Sequence, residues 1–111
     1  MSGYVAGVGA ATSFSPERAT KADIFRGEHL FVGLNCFEPG QGQRIHAHQD
    51  ADKVYLVVSG KARLTVGHVT REAVAGDIVW APAEVPHGVE QALERTVMVV
   101  VMSEGRRGEG R

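Results

Sequence analysis

The sequence predicts an all-β domain, a sandwich or a barrel built from short strands. Two observations support this prediction. Fourteen glycines punctuate the chain, and the segments between them are short and rich in Val, Ile, Leu, Phe and Thr. Short apolar runs separated by turn residues are typical of sandwiches and barrels. The length of 111 residues suits one domain with a single core rather than two folding units.

Taken in chain order, the elements begin with a short segment that could be helical. Ser15–Ala19 could form at most one turn, because Ser15 is a favourable N-cap and Pro16 suits the first helical position. Val54–Ser59 is the clearest strand, since its β-branched and aromatic residues suit a pleated surface. The predicted strands are Asp23–Phe25, Leu30–Phe37, Ile45–His48, Val54–Ser59, Ala62–Val66, Val69–Val74, Ile78–Ala81, His87–Ala92 and Thr96–Met102.

Turn residues separate these strands. Glu38-Pro39-Gly40 ends the second strand, Gly67-His68 resembles a hairpin turn, and Ala75-Gly76-Asp77 precedes the seventh strand. Pro82–Pro86 is predicted to be a loop, because its two prolines cannot donate hydrogen bonds in a central strand.

Composition limits the class of protein. Twelve Lys and Arg nearly balance thirteen Asp and Glu, so no basic surface for nucleic acid is expected. Cys36 is the only cysteine, which excludes an intrachain disulfide. No apolar run approaches the ~20 residues of a membrane-spanning helix, and the N-terminus lacks the basic start of a signal peptide. We therefore expect a cytoplasmic protein without a membrane partner.

Three segments are expected along the chain. Residues 22–102 would form the barrel. Residues 1–21 would form an N-terminal arm that could pack on a partner subunit. Residues 103–111 contain only Gly, Ser and charged residues and would be a disordered tail. Because barrels of this size leave sheet edges that proteins tend to cover, we expect a homodimer.

Three of the five histidines have an informative setting. His46 and His48 are two residues apart, so in a strand both imidazoles face the same side of the sheet. His87 follows the proline-bounded loop, and a barrel could bring it opposite the pair. Three neutral imidazoles suit one divalent transition metal (Fe, Zn, Mn, Ni or Cu) and leave coordination positions open. A His-x-His pair can also lie on a solvent-facing edge strand, and His29 and His68 are expected to be solvated.

Two spaced motifs resemble those of the cupin family. In the first, Gly40 is followed by five residues, then His46-Ala47-His48, four residues, position 53, six residues and Gly60. That is the cupin pattern of a glycine, His-x-His, a glutamate and a glycine.

The second motif also has the cupin spacing. Gly76 is followed by Pro82, Glu84, His87 and Gln91, where the family has a glycine, a proline, a glycine, a histidine and an asparagine. The resemblance implies a jelly-roll barrel, also called a double-stranded β-helix. It also implies a metal at the barrel mouth, held by His46, His48 and His87 together with the motif glutamate.

Lys53 stands where the family has that glutamate, and an ammonium cannot ligate a metal. Four interpretations are open. Lys53 could extend to solvent, which we favour, leaving a site similar to the three-histidine cupins, some of which are Fe(II) thiol dioxygenases. Asp50 or Asp52 could replace the glutamate. Lys53 could lie in the barrel and pair with an acidic substrate or act as a base, or the site could be metal-free.

Three further side chains have expected positions. Gln91 has the parity of His87 and could hydrogen-bond inside the pocket, so it joins Lys53 as a candidate catalytic residue. Trp80 is expected in the core, although it could line a substrate pocket, and Cys36 is expected to be a buried, inert thiol.

These predictions favour a mononuclear metal enzyme, an oxygenase or an isomerase that acts on a small molecule. The alternatives are a non-catalytic module that binds or senses a small molecule, and a dimer in which a metal only stabilises the barrel.

Overall fold

The computed structural model describes residues 3–103, which form one short helix and nine strands. Each strand overlaps one predicted from the sequence. The third strand lies two residues earlier than predicted, so that His48 falls outside it. The elements are α1 (Val8–Ala11), β1 (Thr20–Arg26), β2 (Leu30–Phe37), β3 (Gln43–His46), β4 (Lys53–Ser59), β5 (Lys61–Val66), β6 (Val69–Val74), β7 (Ile78–Ala81), β8 (His87–Ala92) and β9 (Thr96–Ser103).

The strands form two antiparallel sheets. The five-stranded sheet has the order β1-β2-β9-β4-β7, and the four-stranded sheet has the order β3-β8-β5-β6. Neighbouring strands are mostly distant in sequence, as in a double-stranded β-helix, where the chain crosses repeatedly from one sheet to the other. The all-β jelly-roll barrel expected from the sequence is confirmed.

The main core lies between the sheets. Alternate residues of each strand point into it, so β4 contributes Tyr55 and Val57, while Leu56 and Val58 remain exposed. Large side chains of other strands fill the remaining space, chiefly Phe37, Leu64, Val89 and Met98. The polar side chains of the candidate site lie at one end of the barrel.

A second apolar cluster covers the outer face of the five-stranded sheet. Leu34, Cys36 and Val97 point away from the main core and are buried beneath the N-terminal segment, including Val8 and Phe14. The described part of the N-terminal arm therefore packs on its own chain, and packing on a partner subunit stays a prediction. Cys36 is buried as expected, at 2% exposure.

The predicted helical turn at Ser15–Ala19 is wrong. Ser15 does use its side chain as a local acceptor: the backbone N–H of Glu17 donates to Ser15 Oγ at 3.2 Å. The segment continues as bends into β1 rather than as a helix. The helical turn lies earlier, at Val8–Ala11.

The far end of the barrel also differs in one residue. Ser103, assigned to the tail, is the last residue of β9, and its hydroxyl accepts a hydrogen bond from the backbone N–H of Asp52 at 2.8 Å. The remaining tail, residues 104–111, lies outside the described residues. Across residues 3–103, no helix is long and apolar enough to cross a membrane.

Candidate metal centre

The three histidines singled out in the sequence meet at one end of the barrel. His46 is the last residue of β3 and lies directly opposite His87, the first residue of β8, in the antiparallel ladder. His48 follows two residues after β3. The ring centroids are separated by 4.6 Å for His46 and His87, 4.9 Å for His46 and His48, and 5.5 Å for His48 and His87. One ring nitrogen from each lies within 4.8 Å of the others.

Hydrogen bonds orient two of these rings. Nδ1 of His46 lies 2.8 Å from the carbonyl oxygen of Arg44, and Nδ1 of His87 lies 3.0 Å from that of Val85. A carbonyl oxygen only accepts, so each Nδ1 donates a proton, and Nε2 is the nitrogen of each ring that is left to ligate a metal. A ligating histidine usually has this arrangement, because the second nitrogen is anchored to an acceptor.

His87 supplies the observation that tests whether a metal fits. Its side chain is 1% exposed, and its Nε2 is buried without a hydrogen-bond partner among the described residues. Buried polar atoms are almost always satisfied, and a missing ion is one explanation for an exception. A lone pair that faces two other imidazoles is satisfied by a cation, so this donor set fits a divalent transition metal.

Burial and nearby charges keep the rings of His48 and His87 in the neutral form that binds a metal. Burial lowers the pKa of His48, and the charges of His46 and Lys53 lower it further. Burial also lowers the pKa of His87, opposed by its hydrogen bond to Val85. Both rings are therefore neutral around pH 7, which is the form that binds a metal.

Lys53 does not extend to solvent, so the interpretation that we favoured is wrong. It is the first residue of β4 and shares the inward face with Tyr55 and Val57, because alternate residues of a strand point the same way. The side chain is 5% exposed, and its Nζ lies 4.8 Å from the centre of the Tyr55 ring. Burial, with a contribution from the Lys21 charge, lowers the pKa of Lys53 to about 8.

Neither aspartate replaces the missing glutamate. Asp50 and Asp52 are exposed, and Asp52 Oδ1 accepts a hydrogen bond from the backbone N–H of Ala83 at 2.8 Å. Within residues 3–103, the cluster of ligand atoms contains the three histidines and no carboxylate.

Gln91 lies outside the pocket, contrary to the prediction from parity. The register of β8 against β5 shifts, with Leu64 opposite Val89 and Arg63 opposite Gln91. This irregularity interrupts the alternation, so Glu90 and Gln91 are both exposed and Ala92 is buried. Gln91 is therefore not in a position to touch a molecule bound in the pocket.

Trp80, His29 and His68 lie on the surface. Trp80 is 63% exposed, so its assignment to the core is wrong: β7 is an edge strand whose outward face carries both Ile78 and Trp80. His29 and His68 are exposed, as expected.

Glu84 occupies the motif position that is glycine in the family, and the structure shows why glycine suits it. Its φ is +71°, the left-handed conformation that side chains with a Cβ rarely adopt. The backbone N–H of Glu84 donates to the carbonyl oxygen of His48 at 2.7 Å. This bond ties the Pro82–Pro86 loop to the His48 backbone, which has already left β3.

Sequence reasoning missed three polar residues near the centre. Tyr55 is fully buried, burial raises its pKa, and its hydroxyl donates to Gln43 Oε1 at 2.9 Å. Asn35 is 6% exposed on the inward face of β2. A lone amide within the apolar run Leu34-Asn35-Cys36 was the available signal for Asn35. Gln43 had no such signal, because the β3–β8 register shift between Gln43 and His46 decides where it points.

A cavity of about 140 Å³ lies beside His46 and His48. The polar residues that line it include Lys21, Asn35, Gln43, His46, His48 and Lys53. Apolar walls come from Phe31, Val100 and Met102. The cavity suits a small molecule placed between the imidazoles and the Lys53 ammonium.

The chain is similar in sequence to known proteins. The model of the Cupin domain family matches residues 33–103, which include both histidine motifs. The chain belongs to the cupin family. An uncharacterized protein of Streptomyces coelicolor is 38% identical to this cupin over 82 residues, which cover 72% of this chain and 75% of the relative.

A second relative carries a functional name. The H2HPP isomerase of Bacillus subtilis is 35% identical over 79 residues, which cover 70% of this chain. The match spans only 33% of the isomerase, so the cupin resembles about a third of that protein.

Solved structures agree on the fold. The crystal structure of TT1209 from Thermus thermophilus superimposes with a TM-score of 0.84 at 29% identity, covering 89% of this chain and 95% of that one. A double-stranded β-helix protein from Klebsiella pneumoniae gives a TM-score of 0.85 at 23% identity, covering 96% and 95%.

Proposed function

We propose that this cupin binds one divalent transition metal through His46, His48 and His87 and uses it to isomerise a small molecule. The observation that carries the proposal is the cluster itself, in which three imidazole nitrogens lie within 4.8 Å of one another. Nε2 of His87 is in addition buried and unpartnered among the described residues. Three protein ligands leave coordination positions open, as catalytic rather than structural sites do.

The residues of the chain have separate roles in this proposal. Arg44 and Val85 hold His46 and His87 through their carbonyl oxygens, so that Nε2 of each ring faces the centre. Phe31, Val100 and Met102 keep water away from one side of the cavity. Lys53, rather than Gln91, is positioned to orient the substrate. When bound, the metal would supply a Lewis acid that stabilises an enolate oxygen.

The similarity to the isomerase of Bacillus subtilis favours isomerisation over oxygenation. An isomerase needs no second substrate, which agrees with a cavity of about 140 Å³. Because the match spans only part of that enzyme, the reaction class is a proposal that needs a direct assay.

Metal analysis tests the first half of the proposal. Purified protein reconstituted with Fe, Mn, Zn, Ni or Cu should retain about one equivalent after gel filtration. His46→Ala and His87→Ala should weaken the affinity by more than about 100-fold, since loss of a hydrogen bond to a ligand alone costs 10- to 100-fold. His68→Ala, at an exposed turn position, is the matched control and should bind like wild type. Unchanged metal content in both alanine variants would refute the site.

The reaction class can be tested on the same preparations. A panel of small carbonyl compounds is incubated with metal-loaded protein in D₂O, and proton NMR follows both the exchange of α-protons and the appearance of isomers. An oxygen electrode run in parallel detects oxygenation. Oxygen consumption without isomers would show that the protein is an oxygenase rather than an isomerase. Tight binding without any product would favour a module that binds or senses a small molecule.

A further inference from the structure

We infer that Lys53 makes this metal centre selective for small carboxylate anions, which would bind the three-histidine centre through one oxygen and the Lys53 Nζ through the other. This inference rests on the proposed function and deepens it by naming the class of substrate. Three observations carry it: the burial of Lys53, the charges around the cavity, and the residue that Lys53 replaces.

Among residues 3–103, the buried Lys53 ammonium has no ion-pair partner. Its side chain is 5% exposed, and within residues 3–103 its Nζ lies against the Tyr55 ring, 4.8 Å from the ring centre, rather than against a carboxylate. A buried charge is costly unless it is paired, and lysines are rarely buried otherwise. An anion in the adjoining cavity is the missing partner, because His46, His48 and Lys53 line the same space.

The two exposed charges at the cavity offset each other. Lys21 and Asp23 both line the cavity on β1, and one is positive where the other is negative. Lys21 is also close enough to lower the pKa of Lys53. Lys53 is therefore the buried charge of the lining, and no acidic side chain of the lining is buried beside it.

The replacement of the motif glutamate by Lys53 makes the site more positive in two ways. A glutamate at position 53, as in the family motif, would ligate the metal and subtract a charge, whereas Lys53 leaves a coordination position open and adds one. The formal charge of the loaded centre is thus two units more positive than that of a four-ligand cupin. A ligand must then supply both an oxygen donor and negative charge, which a carboxylate does and a neutral ketone or amide does not.

Malonate and its neutral analogue malonamide are suitable probes. Isothermal titration on Co²⁺-loaded protein measures their affinities, and the visible spectrum of Co²⁺ reports whether the ligand reaches the metal. We expect malonate to bind at least about tenfold more tightly than malonamide. Lys53→Met should weaken malonate by about 10- to 100-fold, the value of a charge-assisted hydrogen bond, while leaving malonamide unchanged. Lys61→Met, which removes a partly exposed lysine paired with Glu72, is the matched control.

The outcomes separate this inference from the proposed function. If wild type and Lys53→Met both bind one Co²⁺ but bind malonate within twofold of each other, the inference is wrong and the metal site stands. If wild type binds no Co²⁺, the proposed function fails, and the inference fails with it. If Lys53→Met does not fold, Lys53→Gln replaces it in the same titration. Equal affinity of the wild-type protein for malonate and malonamide would by itself overturn the inference.

Discussion

At the scale of single residues, Lys53 is where local rules and the tertiary structure conflict. A lysine at the start of a strand usually faces water, yet here it shares the inward face with Tyr55 and Val57. Folding must therefore remove the ammonium from water, and the lowered pKa of Lys53, about 8, reflects that cost. Such a residue reduces stability in exchange for a charge inside the site, as residues at functional sites often do.

Lys53→Met should therefore stabilise the metal-free protein at pH 7, by about 1 to 3 kcal/mol, because the variant buries a side chain of similar shape without a charge. The folded pKa of about 8 is below the unfolded value of 10.5, so the unfolded chain binds more protons between these values. Wild-type stability should rise with pH across that window, while the penalty is fully present below pH 8.

Urea unfolding of both proteins at pH 7 and pH 10, with a chelator present, measures this difference. The advantage of Lys53→Met should shrink at the higher pH. Lys61→Met, whose lysine is partly exposed, should change stability little at either pH, because exposed ion pairs contribute little. A Lys53→Met protein that is less stable than wild type at pH 7 would show that Lys53 makes a favourable buried interaction instead.

At the scale of elements, the β3–β8 pair determines the metal centre, since it places His46 opposite His87. Gly88, directly after His87, is what allows the two strands to approach. A Cβ added there would lie 2.8 Å from the carbonyl oxygen of Gln43 and 2.9 Å from that of Arg44. Both neighbours are backbone atoms, so neither can move away as a flexible side chain would.

Gly88→Ala should therefore displace β3 and separate His46 from His87. We expect a loss of about 1 to 3 kcal/mol in the free energy of unfolding, as for other overpacked sites, together with weaker metal binding. Calorimetric unfolding and metal titration measure the two effects. Gly9→Ala is the control, because a Cβ at Gly9 meets nothing within 4 Å. Wild-type metal affinity in Gly88→Ala would show that β3 does not need this close approach.

At the scale of the whole molecule, the sheets leave edges, and one of them is apolar. Edge strands β6 and β7 border a groove on which Val69, Ile78 and Trp80 are 50%, 69% and 63% exposed. Large exposed apolar side chains that cluster at an edge favour association. The described part of the N-terminal segment lies on the outer face of its own sheet, and its packing on a partner subunit stays a prediction.

The expected homodimer should therefore form through the β6–β7 edge. Wild-type protein should sediment as a dimer, and Ile78→Glu combined with Trp80→Glu should sediment as a monomer with an unchanged circular dichroism spectrum, since both side chains already face outward. Leu30→Glu, at a 48% exposed position on β2, is the matched control and should remain dimeric. A wild-type monomer at high protein concentration would exclude the dimer.

The sequence by itself determined the features that depend on local chemistry. Short apolar runs between turn residues predicted nine strands in nearly their observed places, and motif spacing identified His46, His48 and His87 as a group. These succeed because strand formation and the two-residue repeat are properties of the chain over a few residues.

Only the tertiary structure decided which way the critical side chains point. Lys53 faces inward because β4 extends to it and places it on the same face as Tyr55 and Val57, and Gln91 faces outward because β8 shifts register against β5. Trp80 is exposed because β7 lies at an edge whose outer face nothing in residues 3–103 covers. A change of one residue in register reverses every following side chain, and the pairing strand, not the local sequence, sets the register.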